Sequence, residues 1–155
     1  DVLVFHYTVG EISNEQRDGL SKWLAGGKGF VGIHSAADSF RGDPDFRNLV
    51  GGHFITHPRH REYQVSVKDA GHPIMAGIEE EFMVVDEQYI TDYDPRVHVL
   101  ASALWKGDAM PVAWTKNHGE GRVFYQALGH DPHACEHAMF RQMLVQGTKW
   151  AANVV

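Results

Sequence analysis

The chain has 155 residues and is 43% hydrophobic, which fits one domain, residues 1–155, with a sizeable core. Fourteen Lys and Arg against twenty Asp and Glu give a net charge of −6, which speaks against a nucleic-acid surface and against binding to anionic membranes. No apolar run is long enough to span a bilayer, no signal-peptide pattern opens the sequence, and the single cysteine, Cys135, excludes an intramolecular disulfide.

Residues 1–7 read as a strand that starts without a preceding turn or cap, so earlier elements of the sheet are expected to be missing in front of it. Ser13 with Gln16 fits a helix capping box, Leu20, Trp23 and Leu24 share one helical face, and Gly26-Gly27 ends that helix. The buried-strand signal of residues 29–33 follows. Strand, helix and strand with short links predict a right-handed βαβ unit with parallel strands. After His34 the chain reads as loop through Pro44, then a short helix over 45–50 and a polar, His-rich loop over 53–58.

Residues 62–68 alternate, with Tyr63, Val65 and Val67 on one side, and read as a half-buried strand. Gly71-His72-Pro73 is a turn. A short apolar run, 82–85, ends in Asp86-Glu87-Gln88-Tyr89, and 97–103 is a further strand. Residues 112–115 and 122–128 flank Asn117-His118-Gly119-Glu120-Gly121 and predict a β-hairpin. A terminal helix is expected over 136–152. The pattern is that of an α/β fold: a mostly parallel, doubly wound sheet with helices on both faces, plus the hairpin. Two strands end in histidine, His34 and His130, and a third ends in Asp86-Glu87. Open α/β sheets collect ligands outside the carboxyl ends of their strands. If all three strands run the same way, these residues converge.

The sequence resembles the ThuA-like family, named for trehalose utilisation. The resemblance rests on Val31-Gly-Ile-His34-Ser35-Ala36, Gly51-Gly-His-Phe54 with His57-Pro58, Gly71-His-Pro73 with Gly77, Asp86-Glu87-Gln-Tyr89, Pro111-Val-Ala-Trp114, and Gly121-Arg-Val-Phe-Tyr125 through Leu128-Gly-His130. It covers nearly the whole chain and implies a further strand and helix ahead of the strand at residues 1–7. It implies a flavodoxin-like scaffold similar to class I glutamine amidotransferases, with His34 where their nucleophilic cysteine would be and His130 where their partner histidine would be. Cys135 is not in an elbow context, so the resemblance carries the scaffold and not amidotransferase chemistry. It also implies the handling of disaccharides and their 3-keto derivatives.

His34, His130 and Glu87 are the candidate catalytic residues, because imidazoles and a carboxylate can pass protons near neutral pH. Together they also make a two-His-one-carboxylate set that suits a divalent metal such as zinc or manganese. Ser35, His57, Asp86, Tyr89 and Trp114 are candidate contacts to a sugar, with Asp86 alternatively orienting a histidine. His60, His98, His118, His133 and His137 read as solvated positions, with His133 alternatively at the rim of the site, His53 as structural and His72 as a turn residue. No glycine-rich phosphate loop is present, so no nucleotide cofactor is expected.

The first functional expectation is an enzyme of carbohydrate catabolism that acts on a glycoside or 3-keto-sugar. The alternative is a non-catalytic sugar-binding module of a larger protein, and a third reading is a hydrolase using Ser35. The expected partner is a small sugar, with no nucleic acid and no membrane. A homo-oligomer or additional domains, and a cytoplasmic or periplasmic location for a soluble chain, stay open.

Overall fold

Ser13 closes the expected capping box. Its Oγ accepts the Gln16 N–H at 3.2 Å, and the Gln16 side chain accepts the Ser13 N–H at 2.9 Å. In the computed structural model, which describes residues 1–155, this cap links strand β1 (Val2–Phe5) to helix α1 (Asn14–Ala25). Gly26 ends α1, and β2 (Gly29–Ile33) follows, buried along its whole length and parallel to β1. The βαβ unit is therefore present as expected.

The chain continues as a 3₁₀ turn (His34–Asp38), α2 (Pro44–Val50), β3 (Gly52–Thr56), β4 (Arg61–Val67), a second 3₁₀ turn (Pro73–Met75), β5 (Glu81–Asp86) and β6 (Ile90–Tyr93). It ends with β7 (His98–Trp105), β8 (Asp108–His118), β9 (Gly121–Gln126), α3 (Pro132–Glu136) and α4 (Ala138–Ala151). Seven strands form one sheet in the order β1-β2-β9-β8-β7-β4-β5, and β3 pairs with β6 in a separate ribbon.

The sheet is mixed, which corrects the expectation of a mostly parallel one. Only β1, β2 and β9 are parallel neighbours; β8, β7, β4 and β5 alternate in direction. The cause is local. Lys106 and Gly107 both take positive φ, 52° and 96°, and make a two-residue turn from β7 into β8. Gly119-Glu120 turns β8 into β9. Such short links can join only antiparallel strands.

Helices do cover both faces. Phe30 of β2 and Tyr125 of β9 pack with Leu24 of α1 and Phe46 and Leu49 of α2. Their chain neighbours Val31 and Phe124 face the other way, onto Met139, Phe140 and Met143 of α4. Each such fully buried side chain contributes about 1.5–3 kcal/mol.

Two further expectations change. The loop expected over 53–58 is partly strand β3, which pairs antiparallel with β6. Exposure rises along β3, and its last two residues, Ile55 and Thr56, both meet water. The loop expected after His34 begins with a 3₁₀ turn. The terminal helix expected over 136–152 is α4, and a short helix that was not expected, α3, precedes it and stops at His137. That residue is extended (φ −60°, ψ 131°), its Nδ1 accepts the Met139 N–H at 3.2 Å, and its ring stacks on Phe82.

Four reversals of direction separate β9 from β5, so β5 runs the same way as β2 and β9. In a flat sheet β5 would stand about 19 Å from β9. Yet Asp86 at the end of β5 bonds the Gly129 N–H at 2.7 Å. The sheet curls, and the carboxyl ends of β2, β5 and β9 meet.

Candidate active site

His34 sits on a strained elbow. It leaves β2 with φ 45°, a left-handed conformation that costs a non-glycine residue about 1–3 kcal/mol. Three contacts hold it there. Its Nδ1 lies 2.7 Å from the Ala127 carbonyl oxygen, its own carbonyl oxygen accepts the Tyr125 hydroxyl at 2.7 Å, and its ring packs 4.0 Å from the Tyr89 ring.

A carbonyl can only accept, so Nδ1 carries the proton and, in the neutral ring, Nε2 carries none. Burial pushes the imidazole down to about 4, against the opposing pull of the Ala127 carbonyl and Glu87. At neutral pH, His34 is therefore an uncharged base with its lone pair on Nε2.

That lone pair faces Glu87. Nε2 of His34 lies 3.5 Å from Glu87 Oε2, and Nδ1 of His130 lies 3.0 Å from the same oxygen. On the other side, His57 Nε2 lies 3.4 Å from Glu87 Oε1. His57 repeats the logic of His34: its Nδ1 is 2.7 Å from the Pro58 carbonyl oxygen, so its Nε2 also lacks a proton when the ring is neutral. Glu87 is thus ringed by three imidazoles, two of which turn bare nitrogens toward an acceptor. Acceptor facing acceptor is unfavourable unless a cation or a donor stands between them.

The donor atoms of His34, Glu87 and His130 lie within 4.8 Å of one another. Ligands about 2.0–2.2 Å from one ion stand roughly 3–3.5 Å apart. The Glu87 distances fall in that range. The Nδ1–H to carbonyl bonds of His34 and His57 are the kind of outer support that metal-binding imidazoles have. The donor set fits a divalent ion.

Glu87 and His130 are held by one neighbour. Asp86 is fully buried; its Oδ1 accepts the N–H groups of Glu87 at 2.8 Å and His130 at 3.1 Å, and its Oδ2 accepts that of Gly129. Burial pushes its carboxyl up, and the three N–H groups pull it back. Gly129 has φ 111°, and a Cβ there would meet Phe140 at 2.8 Å, so only glycine offers this N–H without strain.

Of the residues expected to contact a sugar, Asp86 is spent on backbone donors and Trp114 is sealed in the core. The Trp114 ring lies 4.3 Å from Tyr125 and its Nε1–H donates to Val50 at 3.0 Å. Trp114 is corrected to a core position, and Asp86 takes the alternative expected of it, behind a histidine, His130. Tyr89 is mostly buried but presents its ring to His34 and Phe54. His57 lies at the cluster, and Ser35 follows His34, partly exposed, in the 3₁₀ turn.

His60 is not a plain solvated position: its Nε2 lies 3.2 Å from Asp131 Oδ2, and its ring 5.9 Å from His130. Its place three residues after His57 in one loop was the available signal. Tyr125 gave none, because a strand tyrosine reads as core. His72 caps the second 3₁₀ turn and packs on Trp150, as a turn residue should.

The family model for ThuA, described as trehalose utilisation, matches residues 1–151. The chain belongs to the ThuA family. Among solved structures it is similar to a ThuA-like protein of Parabacteroides merdae, with 20% identity and a TM-score of 0.86 over 99% of this chain and 70% of that one. A ThuA-like protein of Bacteroides uniformis has 22% identity and a TM-score of 0.80 over 97% and 68%. A β-galactosidase of Bacillus circulans shares the fold over 96% of this chain but 22% of its own, with 14% identity and a TM-score of 0.68. No curated protein matches. The ThuA chain has no helix long and apolar enough to cross a membrane.

Proposed function

We propose that this ThuA-family chain is an enzyme of carbohydrate breakdown that acts on a glycoside or 3-keto-sugar. His34, Glu87 and His130 handle protons and hold a divalent ion. One observation carries the reading: a bare His34 nitrogen and a Glu87 oxygen face each other at 3.5 Å at the joined ends of β2 and β5. The family's description supplies the sugar.

A divalent ion bound by these three residues would supply Lewis acidity to a carbonyl or hydroxyl oxygen of the sugar. Glu87 takes the proton from the carbon beside the keto group, and the C–H electron pair moves toward the carbonyl oxygen. The pair returns from that oxygen to form a carbon–carbon double bond as the bond to the glycosidic oxygen breaks, and His130, less buried than His34, gives the glycosidic oxygen a proton when its ring carries one rather than an ion. Ser35 and His57 contact sugar hydroxyls, and Tyr89 with Phe54 walls the site against water.

The test uses the purified chain, its metal content and turnover of a 3-keto-glycoside. One equivalent of zinc or manganese is expected, lost in His34→Ala and Glu87→Gln together with at least a hundredfold of turnover. Full turnover in His34→Ala overturns the proposal. Sugar binding without product, with metal added, would make the chain a binding module.

A further inference from the structure

A groove of about 580 Å³ opens at the other rim of the sheet, where β7 begins and the β8–β9 hairpin turns. The length of β9, about 20 Å, separates it from the rim that carries His130. Its volume is one that small molecules fill. Only two of its twelve lining residues are hydrophobic, so its surface suits a polar occupant.

The one carboxylate on its wall is spent. Asp94 Oδ1 accepts the Arg96 backbone N–H at 3.0 Å and the Nε–H at 2.9 Å, and Oδ2 accepts the Nη2–H at 2.6 Å. The Asp69 carboxylate beside His98 is taken as well, by His98 Nε2 at 2.8 Å and the Gly71 N–H at 3.1 Å. Lys116 has no such match. Its Nζ donates to the carbonyl oxygen of Asn48, which lines the groove with it, and pairs with no carboxylate. Burial pushes its ammonium down, against the pull of Asp94. His72 adds a donor: its Nδ1 accepts the Ile74 N–H at 3.2 Å, so the neutral ring carries its proton on Nε2. Asn117 adds an exposed side-chain amide.

We propose that this groove binds a small molecule by an oxyanion, a phosphate or a carboxylate, set against Lys116, with His72 and Asn117 bonding the rest of its polar atoms. A half-buried cation normally meets an opposite charge, and a charged oxygen makes the stronger hydrogen bond. Acidic residues outnumber basic ones in this chain by twenty to fourteen, yet none pairs with Lys116. The site is separate from His34, Glu87 and His130, and it stands or falls apart from the carbohydrate reading.

Inorganic phosphate and acetate, each titrated into the purified chain at fixed pH and ionic strength, separate the two oxyanions. The readout is the indole N–H resonance of Trp150, which lines the groove, against that of Trp114, which is sealed in the core. A saturable shift of Trp150 with Trp114 unmoved is expected for at least one anion, and which anion it is tells phosphate from carboxylate. No saturable shift of Trp150 with either, or a shift that chloride reproduces, overturns the site.

Two variants place the anion. Lys116→Met keeps the apolar stem and removes the charge, and should weaken binding about tenfold. Arg96→Gln leaves the core alone, since the Arg96 side chain is 82% exposed. It frees the Asp94 carboxylate at the groove wall, and the like charge should weaken binding too. The second variant decides the matter even where the first does not fold. Unchanged affinity in Arg96→Gln, or in folded Lys116→Met, overturns the assignment to this groove.

Discussion

The Asp86 carboxylate holds His130 from behind. It accepts the His130 N–H at 3.1 Å and the Gly129 N–H at 2.7 Å, and so pins the end of β9 to the end of β5. The same group accepts the Glu87 N–H at 2.8 Å. One buried side chain thus sets the spacing of two of the three cluster residues.

Asp86→Asn keeps the shape but turns one acceptor into a donor, which must then face a buried N–H. The expected loss is about 2–3 kcal/mol of unfolding free energy, read from urea denaturation. Zinc affinity should fall roughly 10- to 100-fold, as happens when the support behind a ligand is removed. Unaltered stability would mean that the carboxylate does not clamp the two strand ends.

Stability should depend on pH through His34. Its folded value is about 4 and the ordinary value is 6.5, so between these the unfolded chain binds more protons. Stability from this residue is therefore complete above about pH 6.5 and declines as the pH falls toward 4. The full difference is about 3 kcal/mol. Unfolding free energies of the metal-free chain and of metal-free His34→Asn, measured from pH 4 to 7, should differ in slope across that window. Parallel curves would contradict a buried, neutral imidazole.

The elbow depends on Tyr125. Its hydroxyl donates to the His34 carbonyl at 2.7 Å in a buried setting. Tyr125→Phe removes that bond without leaving a larger cavity, and should cost about 1–2 kcal/mol of stability. Because His34 is strained, losing one of its three holds should also loosen the cluster and weaken zinc uptake. Calorimetric zinc affinity checks this; a variant that is less stable but binds zinc unchanged would show that Ala127 and Tyr89 suffice to hold His34.

The local elements were open to reading in the residues themselves. The capping box of Ser13 and Gln16, the apolar run of β2 and the Asn117–Gly121 hairpin each depend on neighbours a few positions apart, and backbone geometry acts at that range. So did the histidines at strand ends, because a strand ends where its apolar run does. The antiparallel half was harder. Its decisive signal, Lys106-Gly107, is two residues long, and positive φ at lysine has no mark in the sequence. The surroundings of Trp114 and Asp86 were hidden for a related reason: each side chain is bonded to a residue 43 to 64 positions away.

Residue identity alone thus supplied the α/β character, the helix on each side of β2 and the choice of His34, Glu87 and His130. Folding alone decided that they meet. Nothing local brings the edge strand β5 round to β9; that takes the curl of the whole sheet and a buried carboxylate spanning a gap between residues 86 and 129. It also takes the Ala127 carbonyl, 93 positions from His34, to choose which imidazole nitrogen is left bare. Proton position and mutual approach are properties of three-dimensional neighbours, and the linear order of residues does not contain those neighbours.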